Sequence, residues 1–230
     1  MKFVTHSHKN AEVIINGQPE LKTIFDEFRG VIGSITEQEI IEDFSSKYEG
    51  KSKSLSLSIN YLIDKKLREQ AWEEQSKLFG ESDYGNDRRW RLDFAKRVEI
   101  LDKSLPGHSV LRESGIAVEV AFNHAEAIAW NLLKPTLASE QNHVKKAIQA
   151  DLGIIVAATE ELKNVGAFDS AVGTYEKFLT YIRPLSGILS SPILMVGLEA
   201  PETFHLRLES RPGNRKVGFI EMGPKPSRPK

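Results

Sequence analysis

The stretches RLDFAKRVEIL (residues 91–101) and GIAVEVAF (residues 115–122) decide how this chain folds. Both are apolar and β-branched enough to form strands, and Leu105-Pro106-Gly107 between them reads as the connection of a hairpin. Each stretch carries one acidic residue among apolar neighbours, Asp93 and Glu119, and each of these lies thirteen residues from Pro106. A chain that reverses about Pro106 therefore sets them opposite each other on one face, with Cβ atoms about 4.5–5.5 Å apart. A carboxylate inside a strand is unfavourable unless it is paired, hydrogen-bonded or bound to a cation. Two of them side by side repel, and a divalent cation between them removes that repulsion. Such a hard oxygen pair suits Mg²⁺, which can polarise a phosphoryl oxygen and generate hydroxide from water. The competing reading is a half-exposed sheet whose acids face water, and Asp102 and Glu113 are read that way.

Outward from the hairpin, helix-forming sequence runs from Ala125 to about Ala150, with Pro135 as a kink or a break. LGIIVAAT (152–159) and PILMVGL (192–198) are apolar runs of the kind found in buried central strands, and a helix from Thr174 to Ile182 separates them. The order strand, strand, helix, strand, helix, strand implies an α/β fold, a mixed sheet flanked by helices. Upstream, residues 10–29 show helical spacing interrupted by Gly17 and Pro19. Thr36 to Phe44 reads as a second helix, with Thr36 and Glu39 spaced as a capping box. Ser45 to Ser58 is rich in Ser and Lys and reads as a mobile loop, and Ile59 to Phe79 as an amphipathic helix ending at Gly80. The expected organisation is one domain: residues 1–80 mainly helical, 88–200 the core that holds the carboxylates, and 201–230 a basic segment.

The 230 residues suffice for one well-filled core. With 40% hydrophobic and 27% charged residues the composition is that of a globular protein, and no run is long and apolar enough for a membrane span. The N-terminus lacks the apolar stretch of a signal peptide. There is no cysteine, which excludes disulfides and thiolate metal sites, and a cytoplasmic protein is the simplest expectation. No HxxxH spacing is present, which argues against a zinc enzyme. No P-loop and no Gly-x-Ser-x-Gly elbow is present. The net charge of −1 gives no general affinity for nucleic acid, so any such affinity must be local. Two basic clusters exist: Arg88, Arg89 and Arg91 around Trp90, and the final twenty residues, where six basic residues face Glu221 alone.

These features resemble, in order along most of the chain, the BglII/BstYI family of type II restriction endonucleases, and more distantly BamHI. His8, Asn10-Ala11 and Val13-Ile14-Ile15 are similar to the family's opening helix. Ile59–Trp72 is similar to the helix that ends in Trp, Asp93-Phe94-Ala95-Lys96 to the strand bearing the first catalytic aspartate, and residues 118–122 to the second catalytic strand. The resemblance implies a PD-(D/E)xK-type core acting as a homodimer on a palindromic site in double-stranded DNA, beside a cognate DNA methyltransferase that is not in complex with it. Asp93 and Glu119 would bind Mg²⁺, and Gln75, three positions past Trp72, would be a polar active-site residue. The family's third catalytic position, two after the glutamate, is Ala121 here. Ala121 can neither bind a metal nor move a proton, so His124, Glu126 and Lys134 are candidates to replace it, and a DNA-binding protein that has lost cleavage is the alternative.

In the arrangement the resemblance implies, Asn123, His124 and Glu126 begin the segment that enters the major groove, where their side chains can present donors and acceptors to base edges. Asn123 as an N-cap followed by an acidic first turn explains two of these residues without DNA. The basic C-terminal segment, Arg215 and Lys216 in particular, is expected either to contact phosphates or to be a solubilising tail. Lys145 and Lys146 read as a solvated helix face. Trp72, Trp90 and Trp130 read as core or interface anchors.

Overall fold

The two uncharged apolar runs form the middle of the sheet. Strands β5 (Leu152–Ala158) and β6 (Ile193–Leu198) pair in parallel, and every residue of both is buried. Burial on both faces is why neither run alternates polar with apolar residues. The computed structural model describes residues 1–80, 87–102, 110–140 and 148–226. Strand β4 (Val110–Val120) lies parallel to β5 on one side, and β3 (Arg91–Asp102) pairs antiparallel with β4. Phe94 stands opposite Val118 and Ala95 opposite Ala117, the register expected of a reversal about Pro106. The turn itself lies outside the described residues, as do Lys145 and Lys146.

Two edge strands complete a six-stranded mixed sheet, in the order β1-β6-β5-β4-β3-β2. Strand β1 (Phe3–His8) pairs antiparallel with β6 and was not expected from sequence; mostly polar and exposed, it carries little hydrophobic periodicity. Strand β2 (Glu73–Lys77) corrects the expectation of a helix from Ile59 to Phe79. Helix α4 spans Ser56–Glu69, Ala71 takes a φ of 57°, and Trp72 packs on Phe28 with ring centroids 6.0 Å apart. The next five residues, which have ample helix propensity, instead form a strand in which Glu73, Glu74, Ser76 and Lys77 pair with the free edge of β3. Ladder hydrogen bonds outweigh local propensity there.

One face of the sheet is covered by α1 (Ala11–Gly17), α2 (Pro19–Ser34), α3 (Glu37–Lys47), α4 and the short α6 (Glu160–Val165), whose apolar residues share a cluster with Phe94, Val118, Ile154 and Val156. Pro19 opens α2, as its missing N–H permits. The capping box of α3 is present: Thr36 Oγ1 accepts from the Glu39 N–H at 3.1 Å, and the Glu39 carboxylate accepts from the Thr36 N–H at 2.8 Å. Helix α3 runs on to Lys47, and Leu55 is fully buried, so the predicted loop from Ser45 to Ser58 shrinks to the residues between α3 and α4. The other face carries α5 (Ile128–Ser139) and α7 (Tyr175–Leu185), packed on Ile155, Ala157, Ile193 and Met195. Helix α5 runs through Pro135 without breaking and ends before residue 141; residues 141–147, which the expected helix included, lie outside the described ones.

Over its described residues, which end at 226, the C-terminal segment is not a tail. Strands β7 (Phe204–Arg211) and β8 (Arg215–Met222) form a hairpin whose turn uses Gly213 and Asn214 at φ values of 78° and 58°. The Gly50 N–H donates to the Gly218 carbonyl, and the Gly218 N–H to the Ser52 carbonyl, so β8 is stitched to the chain that follows α3. Phe204, Leu206 and Val217 are buried, which anchors the hairpin by apolar contact as well. Among the described residues no helix is long and apolar enough to cross a membrane.

Candidate active site

Asp93 of β3 and Glu119 of β4 belong to neighbouring strands near the end where β4 leaves the sheet; Glu119 meets α5, and Asp93 lines a cleft shared with α4. The Asp93 Oδ2 accepts the Val120 N–H at 2.8 Å, which fixes its carboxylate against β4. Glu119 is only 2% exposed. Its Oε2 is ion-paired with Lys134 Nζ, a residue of α5, and its Oε1 is buried without a hydrogen-bond partner among the described residues. Lys134 Nζ also donates to the Arg91 carbonyl at 3.1 Å, so one ammonium touches both strands that carry the carboxylates. Glu113, in contrast, is exposed and faces Glu99 across the ladder, as read from the sequence. The Asp102 side chain lies outside the described residues.

The surroundings oppose ionisation of this pair. Burial pushes Glu119 up to about 8, the Asp93 charge adds to that, and Lys134 offsets part of it. Burial also raises Asp93, against the pull of the Val120 N–H, Lys134 and the Gln75 side chain. Desolvation and a like-charged neighbour are the two influences that a divalent cation reverses.

Gln75 reaches Asp93 from β2, not from a helix. The β2–β3 register brackets it, with Glu74 opposite Phe94 and Ser76 opposite Leu92, and its φ of 49° is unusual for a residue inside a strand. A strained backbone beside this carboxylate pair is the kind of local distortion that functional sites retain. Gln75, Asp93 and Val120 line a cleft of about 390 Å³ whose other wall is Tyr48 and the Asn60–Tyr61 turn of α4. Those α4 residues were not expected at the site. Their signal in the sequence was slight: Leu57 and Tyr61 are large, one turn apart, and off the buried face.

A metal fits the donor set. The described residues hold no group of three or more His or acidic side chains that could take one, and the site offers two carboxylates, one with an unpartnered oxygen. Mg²⁺ is usually held by one or two carboxylates and retains several waters, so two suffice.

Asn123, His124 and Glu126 are exposed and follow directly from β4, at the same end of the sheet. Asn123 is not the expected N-cap; its Oδ1 accepts from Asn131 Nδ2 at 3.0 Å, and His124 occupies the cap of the 3-10 turn Ala125–Ala127. An isolated bridge joins His124 to Val172. Arg215 and Lys216 start β8, away from the carboxylates, and Arg215 donates to the Lys51 carbonyl at 2.6 Å. Of the three candidates to replace Ala121, the structure brings Lys134 to the carboxylates, while His124 and Glu126 stay on the surface. Trp72 is buried in the core, and Trp90 stacks edge-on against both Phe79 and Trp130.

A sequence-family model described as Restriction endonuclease BglII/BglIII matches residues 3–198. Among solved structures, the restriction endonuclease BglII complexed with a DNA 16-mer superposes with a TM-score of 0.53 at 16% identity, covering 96% of this chain and all of that one. Free BglII gives a TM-score of 0.46 at 12% identity, over 96% of this chain and 93% of that one. No curated protein matches the chain in sequence.

Proposed function

Because the chain belongs to the BglII/BglIII restriction endonuclease family and is therefore a site-specific DNA endonuclease of the type II class, we propose that it hydrolyses duplex DNA in a Mg²⁺-dependent reaction that leaves 5′-phosphate and 3′-hydroxyl ends. The observation that carries this reading is the carboxylate pair, half-buried Asp93 and buried Glu119, with Glu119 Oε1 unpartnered. Mg²⁺ bound there supplies a Lewis acid for the phosphoryl oxygen and lowers the pKa of an attacking water. Asp93, itself held by the Val120 N–H, would hold one side of the ion. Glu119 would hold the other, giving up the proton that its burial favours. Gln75 orients Asp93 and faces the cleft through which a phosphate approaches.

Base reading falls to Asn123, His124 and Glu126, exposed at the same end of the sheet, and phosphate contact to Arg215 and Lys216 on the C-terminal hairpin. The enzyme works as a homodimer joined through helical surface, each copy cutting one strand of a palindromic site, in the cytoplasm and alongside a DNA methyltransferase that shields the host sequence. A plasmid digest with purified protein and Mg²⁺ tests this. Discrete bands whose sequenced ends carry 5′-phosphates support it. A gel shift without cutting supports a DNA-binding protein that has lost cleavage, a reading that Ala121 at the third catalytic position favours.

A further inference from the structure

Two residues past Glu119, just beyond the end of β4, is Ala121, and it is buried in one cluster with Ile128 and Leu132 of α5 and Ile155 of β5. A longer side chain there would have to displace the helix. The helix that closes this position delivers a lysine of its own. Lys134 is 8% exposed, and its Nζ contacts Glu119 Oε2 and the Arg91 carbonyl. A buried ion pair is poor value for stability, since apolar residues of similar volume usually serve as well or better. Its position is nonetheless held firmly. The next residue, Pro135, presses on Gly153 of β5, where a Cβ would lie 2.5 Å from the proline ring.

Resting on the nuclease reading above, we propose that Lys134 is a catalytic residue that supplies, from α5, the polar group missing at Ala121. Its ammonium faces the scissile phosphate and stabilises the negative charge that grows on the non-bridging oxygens as water bonds to phosphorus and the P–O3′ bond breaks. The ammonium keeps its proton throughout; the water releases one to solvent, and the departing 3′-oxygen takes one up. A fixed cation aimed at developing charge in a water-poor site is among the strongest devices available to such a reaction.

Lys134→Met and Lys134→Arg, compared with the parent on a plasmid that the parent cuts into discrete bands, test the assignment. Lys134→Met should cleave about 100-fold more slowly or worse in single turnover, with Arg recovering much of the rate. Mn²⁺ binding to the metal-free protein, followed by calorimetry, should be as tight in Lys134→Met as in the parent or tighter, because Glu119 Oε2 is released. Should Lys134→Met fail to fold, Lys134→Gln carries the same comparison. Cleavage by Met or Gln within about threefold of the parent overturns the proposal, as does a variant that loses Mn²⁺ binding in step with cleavage and is not rescued by Arg. Either result with an active parent defeats only the role of Lys134, whereas a parent that cuts nothing defeats the nuclease reading and this proposal together.

Discussion

At the scale of the residue, Glu119 is held in surroundings that disfavour its charge, and that has a measurable consequence. Its ordinary value is 4.5, and the fold raises it to about 8. Between those values the unfolded chain gives up the proton while the folded chain retains it. This group therefore makes the metal-free protein less stable as pH rises through that window. Thermal melts in EDTA from pH 5 to pH 8 should show that decline in the parent and a flatter profile in Glu119→Gln; parallel profiles would contradict it. On the proposed reading metal entry would expel the same proton, so Mg²⁺ affinity should climb toward pH 8 and then level off. Asp93→Asn and Glu119→Gln should each lower the cleavage rate on the order of 1,000-fold, checked by single-turnover digestion, with DNA binding retained. Asp93 and Glu119 were legible in the sequence because strand pairing turns residue spacing into geometry. Lys134 could be named only as one of three candidates, since its approach depends on how α5 docks, a long-range contact that no spacing rule encodes.

At the scale of the element, the runs read correctly were those whose pattern matched their burial. The residues of β5 and β6 are apolar throughout and lie inside, and α2 and α3 carry Pro19 and the Thr36–Glu39 box at their starts. The misreadings share a cause. Strands β1 and β2 lie at the sheet's two edges and pair with strands met elsewhere in the chain, and the β7–β8 hairpin, though locally paired, is anchored by hydrogen bonds to residues 50–52 far upstream. Residues Glu73–Lys77 read as helix until the open edge of β3 is in view. The docking of α5 offers an element-scale test. Gly153→Ala forces a Cβ into Pro135 and should destabilise the protein by about 1–3 kcal/mol, seen as a lower urea midpoint. Because α5 carries Lys134, cleavage should fall as well. Unchanged stability would mean that the helix stands farther from β5 than described.

At the scale of the whole molecule, a chain of net charge −1 must attract DNA through local arrangement. The hairpin that carries Arg215 and Lys216 is hydrogen-bonded to the chain just beyond Tyr48, which lines the cleft beside Asp93. On the proposed reading, the hairpin adds phosphate contacts at a distance from the carboxylates. The double variant Arg215→Ala/Lys216→Ala should weaken binding evenly across sequences and reduce the slope of log K against log salt by roughly 2, with the cleavage rate at saturation unchanged. A slope equal to the parent's would remove the hairpin from the interface. The central claim is that Asp93 and Glu119 jointly hold one divalent cation. Crystals soaked in Mn²⁺ and measured at an energy where manganese scatters anomalously test it directly. The account predicts a difference peak within coordination distance of both carboxylates, with Lys134 Nζ displaced from Glu119 Oε2 or shifted along it. A map with no peak there, or with manganese bound only elsewhere on the surface, would contradict it.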